Sequence, residues 1–270
     1  MSAARRVLAT TVRNAAMAYD TLSPPPAGAV LLAYHRVGGG SESSVDLDPA
    51  VFDEQMAHLG EHCTVSGIDE AVERLKGRTT TGIHVVVTFD DGTADFVDTA
   101  LPLLCRHGIP ATLYLATGFV GGQFPWGAPA LSWAGLRDAV STGLVTVASH
   151  THNHRVMDKA DAAGAEEEAV RSVGAIEDEL GLRPRHFAYP KGVAGTGDVP
   201  AVLAAHFESL AGAEVGVNPW GDSDLRYLRR TPIVTSDGPA WFRRKAGGGL
   251  YLEGRARAAI NRIRYRRATV

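Results

Sequence analysis

Ile83-His84-Val85-Val86-Val87-Thr88-Phe89-Asp90-Asp91-Gly92 is the stretch on which the fold turns. Ile83–Val87 is short and rich in β-branched residues, the composition of a strand buried on both faces. Two adjacent carboxylates and a glycine follow. Aspartates are seldom left in a core unpaired. The carboxyl end of a parallel strand is also where α/β folds place their chemistry. The stretch therefore predicts a buried parallel strand that delivers Asp90 and Asp91 to a working surface.

Outward from it, strands and helices alternate. Upstream, Val30–Tyr34 reads as a strand ending at His35, Pro49–His62 as a helix, Cys63–Val65 as a strand and Ile68–Lys76 as a helix. Gly38-Gly39-Gly40 and the serines after it read as a mobile loop. Downstream, Ala94–His107 is predicted to be a helix stopped by Gly108, Ala111–Ala116 a strand, Leu131–Thr142 a helix and Leu144–Ala148 a strand. A charged helix, Asp161–Leu180, precedes a short strand, His186–Tyr189. Val199–Phe207, Leu210–Ala213 and Arg230–Val234 complete the series. Such alternation means parallel strands with crossover helices. Three polar clusters follow three separate strands and need one mouth to meet in, and no GxGxxG loop follows a strand. A distorted, incomplete (β/α) barrel is therefore expected over an open sheet.

With 270 residues the chain is long enough for one large domain. Its formal net charge of -3 gives the whole molecule no bias toward nucleic acid or membrane. Cys63 and Cys105 define no disulfide framework and no metal spacing. The N-terminal stretch carries Arg5, Arg6 and Arg13 and lacks an uninterrupted apolar core, so no signal peptide, and a cytoplasmic protein, is the expectation. Ser23-Pro24-Pro25-Pro26 sets a boundary. Residues 1–26 read as a helical segment and Pro-rich linker, 27–238 as the barrel, and 239–270 as a basic, helical tail. That tail reads as a solvated helix, with weak contact to an anionic membrane surface as its alternative.

The histidines carry the chemistry. His150 and His154 are four apart, which on a helical turn sets both imidazoles on one side and sends His152 elsewhere. Two imidazoles and one carboxylate make a three-ligand site with an open position, and Asp91 is the available carboxylate. The expected ion is divalent, zinc foremost, with cobalt, nickel or manganese as alternatives. Asp90, unligated beside it, is then placed as a general base. Trp126 and Tyr189 are read as an aromatic wall on which a substrate ring could stack, with Pro190 beside them.

These motifs resemble the polysaccharide deacetylases of carbohydrate esterase family 4. Thr88-Phe89-Asp90-Asp91-Gly92 is similar to the family's first motif and His150-Thr151-His152-Asn153-His154 to its second. Phe187-Ala188-Tyr189-Pro190-Lys191-Gly192 stands where its third belongs. Tyr34-His35-Arg36-Val37 resembles the opening strand of one bacterial branch. The resemblance spans about residues 28–236. It implies a (β/α) barrel of the deacetylase type that removes an N-acetyl group from an amino-sugar-containing substrate. Metal-bound water would attack, with Asp90 as base, Asp91, His150 and His154 as ligands, and the Lys191 N–H at the oxyanion. Ala188 occupies the place of an arginine that often orients the base, and Arg230 is the candidate replacement. The family's late histidine acid is not visible, and His35 is the candidate for it, with a structural histidine as the alternative. The substrate is expected to be an N-acetylated sugar, an oligosaccharide or a sugar-containing small molecule, such as a nucleotide-linked or lipid-linked sugar, and no nucleic acid.

Three other readings compete. A phosphatase loop needs an aspartate at Phe89 and fails there. An amidohydrolase of a cyclic imide or ureide keeps the fold, and a non-catalytic sugar-binding module would leave Asp90 without a purpose.

Overall fold

The computed structural model describes residues 22–77 and 81–250. Among these, the strands in chain order are β1 (Gly28–Tyr34), β2 (Arg36–Val37), β3 (Asp46–Leu47), β4 (Thr64–Val65), β5 (Ile83–Phe89) and β6 (Ala111–Leu115). β7 (Val145–Ser149), β8 (His186–Ala188), β9 (Ser209–Ala211), β10 (Asn218–Pro219) and β11 (Arg230–Pro232) follow. The helices are α1 (Pro49–His62), α2 (Ile68–Lys76), α3 (Leu101–His107), α4 (Trp133–Ser141), α5 (Ala162–Leu180), α6 (Val199–His206) and α7 (Pro239–Ala246).

A parallel ladder runs β1-β5-β6-β7-β8-β9. It curls back on itself. Ala211 of β9 bridges Leu228, and β11, just beyond, pairs in parallel with the free edge of β1. β10 takes the lower part of that same edge in antiparallel register. The result is the distorted, incomplete barrel that the alternation predicts.

Side chains alternate across the strands, so each strand serves two surfaces. Leu31, Val86, Tyr114, Ala148, Ala188, Ala211 and Leu228 fill the barrel. Val30, Leu32 and Tyr34 face outward, with Val85, Val87 and Phe89, into the core shared with Phe52, Met56 and Leu59 of α1. This alternation positions the site. Val86, Thr88 and Asp90 lie on the inner face of β5, and Ala148 is followed two residues later by His150. Arg230 stands opposite Leu31, so it too is directed inward.

Four sequence expectations change. The Ala94–His107 helix opens as a π-turn, Phe96–Ala100, before α3 begins. Pro102 has no N–H and its ring crowds the preceding turn, which the wider turn relieves. The Gly38–Gly40 loop is not loose. Asp46, nearly buried, accepts hydrogen bonds from Gly39 N (2.9 Å), Ser41 N (2.8 Å) and Ser41 Oγ (2.7 Å), while β2 pairs with β3. The His150–His154 segment is a loop and not a helical turn. Finally, the start of the expected basic tail is part of the barrel domain. Phe242, Ala246 and Leu250 are buried. Lys245 is buried with them, and its Nζ donates to Pro232 O (2.7 Å) and Asp237 Oδ2 (2.6 Å). Burying one such phenylalanine contributes about 1.5–3 kcal/mol, enough to hold α7 against the sheet. Residues 1–21 and 251–270, including Arg255, Arg257, Arg262, Arg264, Arg266 and Arg267, lie outside the described residues.

Candidate active site

Three loops at the carboxyl ends of β5, β7 and β8 meet, and β11 reaches them from the side. Asp90 and Asp91 leave β5 in a sharp turn. Asp91 has φ 71°, a left-handed conformation that aspartate tolerates better than most residues. Gly92 follows with φ 97°, and a Cβ there would meet Leu115 Cδ1 at 2.5 Å. The turn aims the two carboxylates in different directions, and they acquire different partners.

Asp90 is buried and pairs with Arg230, the largest fully buried side chain. Both guanidinium N–H groups donate to it, Nη2 to Oδ2 at 2.9 Å and Nη1 to Oδ1. Arg230 is itself held by Gly212 O, which accepts from Nε at 2.8 Å, and it lies 5.0 Å over the Tyr114 ring. Burial alone would push the Asp90 carboxyl up. The charge of Arg230, with His150 and His35 behind it, outweighs burial and holds the carboxyl well below the usual range. Asp90 is therefore ionised at any physiological pH. His35 also approaches, with Nε2 at 3.8 Å from Asp90 Oδ2. Its Nδ1 is buried without a hydrogen-bond partner.

Asp91 faces the histidines. Its Oδ1 lies 3.2 Å from His154 Nε2 and 3.6 Å from His150 Nε2. All three ligand atoms fall within 4.8 Å of one another. Metal–ligand bonds of about 2.0–2.1 Å in a tetrahedral shell put ligand atoms roughly 3.3 Å apart, so the spacing fits a divalent cation. The His150 tautomer fits too. Its Nδ1 bonds to Ala188 O at 2.8 Å, which places the proton there and leaves the Nε2 lone pair facing Asp91. Burial pushes the His150 imidazole down to about 4, a shift that keeps it neutral. His152 does point away, to Thr117 Oγ1 at 2.8 Å.

The two outer histidines converge without a helix because the loop turns left-handed twice, at Thr151 (φ 67°) and His154 (φ 55°). Lys191, in the loop after β8, is also left-handed at φ 57°. Outside glycine such residues are uncommon and cost about 1–3 kcal/mol each. Asp91, His154 and Lys191 are predicted site residues and Thr151 lies within the second motif, while a fifth such residue among those described, Leu250, lies elsewhere. Gly192 N–H donates to Tyr189 O and Val193 N–H to Pro190 O, and the Lys191 N–H just before them takes part in neither bond.

The aromatic wall is corrected in part. Tyr189 is wholly buried against Phe187 and Tyr227 and offers no face to a ligand, and Pro190 is buried beside it. Its place after a short apolar strand makes it core. Trp126 is 50 % exposed, stacks on Phe124 (4.6 Å) and meets the His154 ring edge-on at 5.4 Å.

Two residues escaped the sequence reading. Tyr114 lies beneath Arg230 as an ordinary apolar strand position. Glu168 went unnamed within the charged helix Asp161–Leu180, yet it occupies the buried stripe Ala165, Glu168, Ala169, Ser172 of α5. A carboxylate at that spacing within small residues was the available signal.

The neutral His150 has a measurable consequence for the metal-free protein. Unfolded, a histidine titrates near 6.5. Between about pH 6.5 and 4 the unfolded chain therefore binds one proton more at this position than the folded chain. Stability must then fall as pH falls through that window. About two and a half pH units correspond to about 3 kcal/mol. Urea unfolding of wild type and His150→Gln from pH 7 to pH 4 should show the variant losing less by that amount. Parallel curves would mean that His150 is not buried and neutral.

Residues 77–205 match the family model for polysaccharide deacetylase. Among curated proteins, the chain is 26% identical over 162 residues to a poly-beta-1,6-N-acetyl-D-glucosamine N-deacetylase of Staphylococcus aureus, covering 57% of this chain and 54% of that protein. The chain thus spans about half the length of the curated relatives it matches. Among solved structures, IcaB from Ammonifex degensii superposes with a TM-score of 0.73 at 26% identity, over 85% of this chain and 98% of that one. The Streptococcus pyogenes deacetylase PplD, solved with acetate, gives a TM-score of 0.73 at 21% identity over 82% and 99%, a likeness of fold. His35 and Arg230 lie outside the matched segment, while Asp90, Asp91, His150 and His154 lie inside it. The curled sheet and the motif residues agree with that match, and residues 77–205, just under half of the chain, resemble the polysaccharide deacetylase family.

Proposed function

We propose that this protein is a metal-dependent N-deacetylase that hydrolyses the N-acetyl group of an amino-sugar substrate. The carrying observation is the division of labour between neighbouring carboxylates. Asp91 faces two imidazole nitrogens at 3.2 and 3.6 Å, while Asp90 is paired with a buried guanidinium. Packing gives no reason for both arrangements at one turn.

Asp91, His150 and His154 would hold the cation, with zinc the first ion to try. When bound, it would supply Lewis acidity, lowering the pKa of the attacking water and polarising the acetyl carbonyl. Asp90 takes the proton from that water. The Arg230 pairing keeps Asp90 ionised and fixes its orientation, at the cost of making it a weak base, so its role depends on water being acidified. The Lys191 N–H donates to the oxygen on which negative charge develops. His35 delivers a proton to the departing amine, and acetate leaves. Trp126 offers its exposed face to a sugar ring beside His154.

The relatives' substrate, a β-1,6-linked poly-N-acetylglucosamine, makes oligomers of that sugar the first compounds to test here, ahead of nucleotide-linked or lipid-linked sugars. Acetate release from them should be abolished by a chelator and restored by zinc. Release unaffected by chelation would overturn the metal-dependent reading. Among the described residues, no helix is long and apolar enough to cross a membrane.

Arg230→Met tests the guanidinium. Without it the buried Asp90 charge loses its main partner, and its pKa should rise by about 1–3 units. The acidic limb of the kcat/KM profile moves to higher pH by the same amount, because the base ionises later. Stability should drop by about 3–5 kcal/mol, as when a buried pair loses one member. A pH profile unchanged in a folded variant would remove Arg230 from this role.

A further inference from the structure

We propose that Glu168 is a positioning residue for the metal-ligand loop and sets the affinity of the site for its cation. The proposal rests on the metal-site reading above and extends it to a side chain on a different element.

Glu168 lies on α5 and is 4% exposed. Taking a carboxylate out of water costs several kcal/mol unless it is well paired. Here all three of its recorded hydrogen bonds go to one loop. Oε2 accepts from His152 N at 2.9 Å and from Asn153 N at 2.7 Å, and Oε1 accepts from Asn153 Nδ2 at 2.9 Å. The two backbone N–H groups belong to the peptides that lead into His154. A loop has no ladder to satisfy such donors, so a charged acceptor beneath them fixes the peptide planes.

The other side of the loop is clamped by backbone. Gly118 N donates to His152 O at 2.7 Å and Thr117 N to Thr151 O at 3.3 Å. A Cβ at Gly118 would come within 2.8 Å of that His152 oxygen, so the loop lies close. His150 needs none of this, since Ala188 O holds its ring directly. His154 is different. It sits at φ 55°, and among the described residues its ring meets only Asp91 through a nitrogen and Trp126 and His150 by ring contact, so its direction depends on how the backbone at His152 and Asn153 is held. Glu168 thus acts on the cation through His154.

The test measures zinc binding to the metal-stripped full chain by competition with a chromophoric chelator, at a temperature where circular dichroism shows each protein folded. Glu168→Gln keeps the shape but turns one acceptor into an N–H donor facing N–H donors. Zinc affinity should fall about 10–100-fold, the range for a lost supporting partner of a ligand. Asn153→Ala, at an exposed position, removes one of the three bonds and should weaken zinc several-fold. A merely structural role would lower the unfolding midpoint and leave the affinity of the folded protein unchanged. A folded Glu168→Gln that binds zinc like wild type overturns the proposal. If that variant does not fold, Asn153→Ala binding like wild type overturns it. Wild type taking up no zinc would sink the metal reading itself, a result seen before any variant is made.

Discussion

Asp90→Asn is expected to lower kcat/KM for acetate release by about two to four orders of magnitude while the metal content stays that of wild type. The amide cannot accept a proton from water, and that is the only function assigned to this side chain. The ligand set is untouched, because Asp91, His150 and His154 point to one another and Asp90 to Arg230. The substitution also strips Arg230 of its counter-charge in a buried place, so the variant should be less stable, and assays belong well below its unfolding transition. Metal analysis beside the acetate assay separates lost chemistry from lost structure. A folded variant hydrolysing at the wild-type rate would mean that another group serves as base.

His154→Asn should instead remove metal and activity together. Asparagine is the better choice than alanine here, since it accepts a left-handed backbone at φ 55° with less strain. Its side chain is too short to replace Nε2. The loss of affinity should exceed the about 10–100-fold expected for a supporting residue, and activity should reach background. Full metal occupancy in the folded variant at micromolar zinc would take His154 out of the ligand set. The pair of results distinguishes base from ligand: one protein keeps its metal without turnover, the other keeps neither.

How much of this could be read beforehand depended on what kind of signal each residue sent. The Ile83–Phe89 strand was legible because a buried parallel strand has a distinctive composition, and the structure then shows which of its residues face inward. The barrel followed from alternation. His150 and His154 were found by their spacing, but the helical geometry behind that spacing was wrong. Two left-handed residues, Thr151 and His154, bring the rings together, and nothing in Thr-His-Asn-His announces a positive φ at a threonine. Tyr189 shows the opposite limit. An aromatic residue at a strand end has the same letters whether it lines a cleft or fills a core, and only the tertiary contacts decide. Arg230 was suggested by resemblance alone, and the register of β11 against Leu31 supplies the physical reason it can reach Asp90. Glu168 was missed because its burial depends on how the loop just before α5 folds back to set His152 N and Asn153 N on its carboxylate.

The register of β11 also bears on how the protein is made. Synthesis proceeds from the N-terminus, so Asp91, His150 and His154 have all emerged well before Arg230 does. On the roles proposed above, a nascent chain halted after α6 would already own every group that grips a cation, yet its proton acceptor would still lack the guanidinium that orients it. Hydrolytic competence would therefore arrive late and abruptly, when the final strand docks along β1, sparing the cell a half-built catalyst.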